Sequence, residues 1–103
     1  MEGGAVFIPK TVLLETEWVL RRAYSIAPEQ ILDALESLAR ATEVVIEDEA
    51  AIEQALQWYR GGMDLADALH IASRGVATQF LTFDRRLTSA ARRAGIKGVT
   101  QPG

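Results

Sequence analysis

Short β-prone runs separated by stretches of helical spacing constrain this chain more than any other feature. The runs are A-V-F-I-P at 5–9, T-E-V-V-I at 42–46 and the apolar segment at 78–83, with a weaker I-K-G-V-T at 96–100. Strands that alternate with helices are joined by crossovers, so they run parallel and carry helices on their faces. The expectation is a single α/β domain over residues 1–103 with a short, mainly parallel sheet. A length of 103 residues and a hydrophobic fraction of 49% suit one core.

The helical stretches have their own punctuation. Thr11 is placed to cap a first helix running to about Tyr24, with Val12, Trp18, Val19 and Tyr24 supplying much of its apolar surface and Leu13, Leu14 and Leu20 widening it. Pro28 suits the first turn of a second helix, which ends near Ala41 and repeats Ile31, Leu32, Leu35 and Leu38 at helical spacing. Asp48 starts a third, burying Ile52, Ala55, Leu56 and Tyr59 before Gly61 and Gly62 stop it. A fourth covers about Asp64 to Ser73 with Gly75 behind it, and a fifth covers 85–94 with Gly95 behind it. Trp18, Trp58, Tyr24 and Tyr59 read as core or interface residues, not as base-stacking platforms.

Several function classes drop out. There is no cysteine, so disulfides, thiolate metal sites and cysteine nucleophiles are excluded. No run is long enough for a membrane span, and the first residues have no basic and apolar signal pattern, which points to a soluble cytoplasmic protein. No P-loop, dinucleotide fingerprint or serine–histidine–acid set is present. Net charge is −3, yet arginines come in pairs at 21–22, 85–86 and 92–93. Local clusters of this kind can bind phosphate although the whole chain is acidic; they can equally be solvated helix ends.

The acids are more specific. G-G-M-D-L-A-D-A-L-H-I-A-S at 61–73 places Asp64 and Asp67 on one face at the start of a helix, and Q-F-L-T-F-D-R-R-L at 79–87 ends a strand on Asp84. Acids just past the carboxyl ends of strands stand where open α/β sheets keep their ligand crevice. Three of them converging there would suit a hard divalent cation. Each also has a plain structural role open to it: Asp64 as N-cap with Asp67 in the first turn, and Asp84 as the cap of the last helix. Glu15 lies among apolar neighbours of the first helix and either enters the same crevice or faces solvent, with Glu17 as a nearby decoy. His70, one turn after Asp67, reads as structural.

Taken in order, F-I-P-K-T-V-L-L-E-T-E-W-V-L-R at 7–21, D-L-A-D-A-L-H-I-A at 64–72 and F-L-T-F-D-R-R-L at 80–87 resemble the PIN-domain ribonucleases, in particular the VapC-like toxins of toxin–antitoxin systems. The resemblance implies a three-layer α/β/α fold and endonuclease activity on RNA dependent on Mg²⁺ or Mn²⁺. It assigns the acidic cluster to Glu15, Asp67 and Asp84, with Asp64 assisting as a further metal ligand. Arg85 and Arg86 stand beside that cluster and are the expected RNA contacts. A cognate antitoxin is the implied protein partner.

The sequence departs from the family in one respect. The family pattern opens with an apolar central strand ending in an aspartate ligand, then a helix, before the segment that begins here at Ala5. These 103 residues contain neither, and residues 1–4 read as the tail of that helix and its loop. A start codon assigned too late, a deliberately shortened chain or a truncated remnant would each produce this. The expectation that follows is unpaired sheet edges and closure by a homodimer or higher oligomer. The alternative to a nuclease is a catalytically impaired PIN domain that binds an antitoxin or dimerises.

Overall fold

A computed structural model describes residues 4–103. Residues 1–3, the start of the expected helix tail, lie outside the described residues. The order is β1 (Val6–Ile8), α1 (Lys10–Arg22), α2 (Pro28–Ala39), β2 (Val44–Ile46), α3 (Glu49–Arg60), α4 (Leu65–Ala72), β3 (Phe80–Leu81), α5 (Arg85–Arg93) and β4 (Val99–Thr100). The alternating α/β order and the parallel strands are as expected.

The strands pair in two separate ladders. β1 runs parallel to β2 with Phe7 opposite Val45, and β3 runs parallel to β4 with Phe80 opposite Val99. Each ladder belongs to one crossover: α1 and α2 connect the first, α5 the second. Among the described residues no strand lies between the ladders to join them into one sheet. β3 is shorter than the 78–83 run because only Phe80 and Leu81 pair, anchored by Phe80 N–H donating to Gly98 O (2.7 Å) and Thr82 N–H to Thr100 O (3.0 Å). The weak run at 96–100 supplies β4.

Helix ends follow local chemistry. Pro9, not Thr11, is the N-cap residue of α1, and its free first amide is capped from a distance: Lys10 N–H donates to Glu47 Oε1 at 2.9 Å. The helix stops at Arg22, short of Tyr24, because Ser25 turns into the left-handed region (φ 54°) and Ile26 N–H folds back onto Leu20 O. Pro28 opens α2 as expected, and α2 ends at Ala39, two residues early. Asp48 caps α3 from a left-handed backbone (φ 53°), a conformation that Asp tolerates better than most residues. Lys10 Nζ bonds its carboxylate at 2.9 Å, and this contact holds the Asp48 carboxyl below the usual range.

The core lies where α2, α3 and α4 meet, with α3 against α4 the most extensive helix pair. Ile31 and Ile71 are wholly buried, and Ile52, Ala55, Leu56 and Tyr59 form the buried face of α3 as its spacing requires. Burial of each large aliphatic side chain is worth about 1.5–3 kcal/mol. Helix α1 differs from expectation. Its buried residues are Leu13 and Glu17, while Val12, Trp18, Val19 and Tyr24 are exposed. The helix turns the 13–17–20 face inwards because that face meets α2 and α4, and Leu14 and Leu20 pack beside it.

Candidate functional site

The turn Gly61–Gly62–Met63 ends α3 and releases the chain into α4. Gly62 takes φ 106°, open to glycine, and Asp64 follows as the N-cap of α4. Asp64 Oδ2 accepts from Asp67 N–H at 3.1 Å, so the cap role expected for Asp64 is real. It occupies one of several lone pairs. Asp67 sits half-buried in the first turn, fixed there by Leu65, Ala68 and Leu69, which face the core.

Asp84 reaches the same region from the other crossover. It follows β3 and caps α5, its Oδ1 accepting from Arg86 N–H (2.9 Å) and Leu87 N–H (3.2 Å). Thr82 Oγ1 in turn accepts from Asp84 N–H at 3.1 Å and fixes the turn. The three aspartates feel one another through Asp67. Its carboxyl is pushed above the usual range, first by burial, then by the negative charges of Asp64 and Asp84. Arg86 and His70 oppose the rise. Asp64, Asp67, Arg85 and Arg86 line one groove of about 510 Å³ between the α3–α4 turn and α5.

Glu15 lies elsewhere. It is exposed on α1 and lines a neighbouring groove of about 330 Å³ with Leu14, Glu17, Trp18, Arg21, Ala66 and Asp64. Asp64 therefore borders both grooves. Glu17, the expected decoy, is the buried acid of α1, only 4% exposed. Its carboxylate accepts from Arg21 Nε at 2.7 Å and from Tyr59 Oη–H at 3.1 Å. The Tyr59 hydroxyl is pushed up to about 12 by burial and by the adjacent Glu17 charge. The signal for Glu17 was present in the sequence as the i,i+4 pair with Arg21, but helical spacing alone did not show which face was inside. His70 is exposed on α4 and acts on Asp67 only through its field.

All the donors here are carboxylate oxygens, the type a hard divalent cation takes. In kind they fit such an ion. Among the described residues, however, no three acids or histidines are gathered closely enough to hold one. Asp64, Asp67 and Asp84 are brought into one electrostatic neighbourhood, and Glu15 is kept one groove away.

A family model described as PIN domain matches residues 1–93. The chain belongs to the PIN-domain family, a nuclease family whose members act on RNA or DNA and are generally dependent on divalent metal. No curated protein and no solved structure matches it. No described helix is long and apolar enough to cross a membrane.

Proposed function

We propose that this protein is a metal-dependent endoribonuclease of the VapC toxin type, acting in the cytoplasm on RNA and held in check by a cognate antitoxin. The observation that carries the reading is the half-buried Asp67, disfavoured as a carboxylate by burial and by the charges of Asp64 and Asp84, and lining with Asp64 a groove that also carries Arg85, Arg86 and Arg93 in a PIN-family chain. A part-buried carboxylate such as Asp67, with two others in its field, is poised for an ion that neutralises it.

Asp67, Asp84 and Asp64 would hold Mg²⁺ or Mn²⁺, with Glu15 contributing from the adjoining groove. Such an ion lowers the pKa of a bound water and stabilises charge on the phosphate. Asp64 and Asp84 are held by their capping bonds, which fixes their orientation without using all their lone pairs. Arg85 and Arg86 would bind the RNA phosphates beside them. No side-chain nucleophile is required.

Cleavage of structured and unstructured RNA with Mn²⁺, beside an Asp67→Asn, Asp84→Asn double variant, tests this. Metal-dependent cleavage that disappears in the variant is the expected outcome. Absence of cleavage, or equal cleavage by both proteins, overturns it. One observation favours the second reading, a PIN domain that binds its antitoxin or a second copy without cutting: the acids do not close into a three-ligand group among the described residues.

A further inference from the structure

The groove beside the aspartates does not end there. A second stretch of about 520 Å³ shares Gly62, Met63, Ala90 and Arg93 with the first and continues to Trp58. The two are one channel, with the acids at one end and an indole at the other. Its two walls differ in character. The wall at the α3–α4 turn is bare backbone at Gly62, where an added Cβ would meet nothing within 4 Å. The opposite wall is α5, whose sequence R-R-L-T-S-A-A-R-R has four arginines and no acid.

Leu87 and Ala91 anchor α5 to the core, which turns the arginines outwards. Arg86 is 91% exposed, with only a long 4.0 Å approach to Asp84. Arg85 and Arg93, which also line the channel, form no ion pair among the described residues. Outside the channel Arg21 pairs with Glu17 and Arg60 with Glu36, while Arg22 and Arg40 form no ion pair among the described residues but do not share a groove. Arg85 and Arg93 without an ion pair, and Arg86 only loosely held, place several available cations along one groove of a chain of net charge −3, a place for an anion. Arg86 and Arg93 are seven residues apart, about 10 Å along a helix axis, or about three stacked nucleotides.

We propose that this channel is the track of a single-stranded polynucleotide, its phosphates on Arg86 and Arg93 and one unpaired base on the indole of Trp58. The inference deepens the nuclease reading and rests on it for the placement of the scissile phosphate at the aspartate end. Arginines along a groove with an aromatic face at one end are the elements that hold unpaired strands. A base reaches an indole only when it has left a duplex, so duplex RNA binds worse. Trp58 is half-buried and packs on the core, and the proposal gives it the base-stacking role that the sequence reading, core or interface, did not.

The test is binding of a labelled single-stranded RNA 12-mer to the full chain carrying Asp67→Asn, in chelator, over a series of salt concentrations. Arg93→Gln should weaken binding several-fold and reduce the slope of log K against log salt by about 0.7. Trp58→Leu should weaken it about fivefold or more with the slope unchanged. Arg22→Gln, at the far end of α1, should change neither. In a Trp18→Phe background, Trp58 fluorescence should be quenched as the strand binds. Circular dichroism of each variant separates loss of binding from loss of fold. Binding and salt slope unchanged in Arg93→Gln overturn the proposal. So do duplex RNA bound as tightly as the single strand, and a poly-glutamate peptide that displaces it with the same Arg93 dependence. Arg93-dependent binding without cleavage by the wild-type chain upholds the track and rejects the nuclease reading. Cleavage with Arg93-independent binding does the reverse.

Discussion

At the residue scale, two titratable side chains carry opposite messages about stability and function. Tyr59 donates to the buried Glu17 carboxylate, and its own pKa is pushed up to about 12 from 10.0. A folded pKa above the unfolded one means that the folded state keeps the proton longer. The stabilisation is whole below about pH 10 and is lost as pH rises towards 12. Tyr59→Phe should cost about 1.5–3 kcal/mol in urea unfolding at pH 7 and remove that alkaline loss. Asp67 is disfavoured as a carboxylate by burial and by its two acidic neighbours. Its raised folded pKa makes the fold gain stability as pH falls through that value. Asp67→Asn should therefore raise the melting temperature at pH 7, and the advantage should shrink on acidification. By the proposed function the same change abolishes cleavage, so a gain in Tm with a loss of activity is the signature of a site residue whose fold tolerates its removal.

At the scale of elements, the helices were readable and their inward faces only partly so. In α2 and α3 the apolar residues recur at helical spacing on one side, and that side is buried. In α1 nearly every residue from Val12 to Leu20 that is not Glu or Thr is apolar, so spacing could not choose a face. Packing against α2 and α4 chose it, and placed Glu17 inside with Tyr59 from α3 as partner. The β3–β4 ladder is the least protected element, two residues in each strand. Gly98 carries it: its φ is 79°, and an added Cβ would collide with the Thr78 carbonyl. Gly98→Ala should cost more than about 1 kcal/mol and speed hydrogen exchange at the Phe80 and Thr82 amides, while the amides of α3 keep their protection. Unchanged exchange at Phe80 would show that the ladder is held by side chains instead of by this turn.

At the scale of the whole molecule, the accessible surface is 6908 Å². A compact monomer of 11.3 kDa exposes about 5,700 Å². The excess exceeds the roughly 800 Å² that each partner contributes to a standard interface. Apolar residues form part of it: Phe7 and Val45, opposite each other across β1 and β2, are 59% and 50% exposed, and Leu81 and Phe83 are exposed on and beyond β3. Self-association is the expected consequence. Sedimentation should give a mass above that of one chain, and Phe7→Arg should shift it towards the monomer; a monomer at all concentrations counts against it. The sequence by itself determined the alternation of strands and helices, the start of α3 at Asp48 and the buried faces of α2 and α3, and it offered capping as one of two roles for Asp64 and Asp84. These follow from local spacing and from backbone groups within a few residues, so one dimension suffices to read them. Tertiary structure alone decided which acid of α1 is buried, that Asp64 borders two grooves, and that Gly62, Arg93 and Trp58 share a channel with the aspartates. Each of these depends on which faces of separate crossovers meet, and no periodicity within a single helix contains that information.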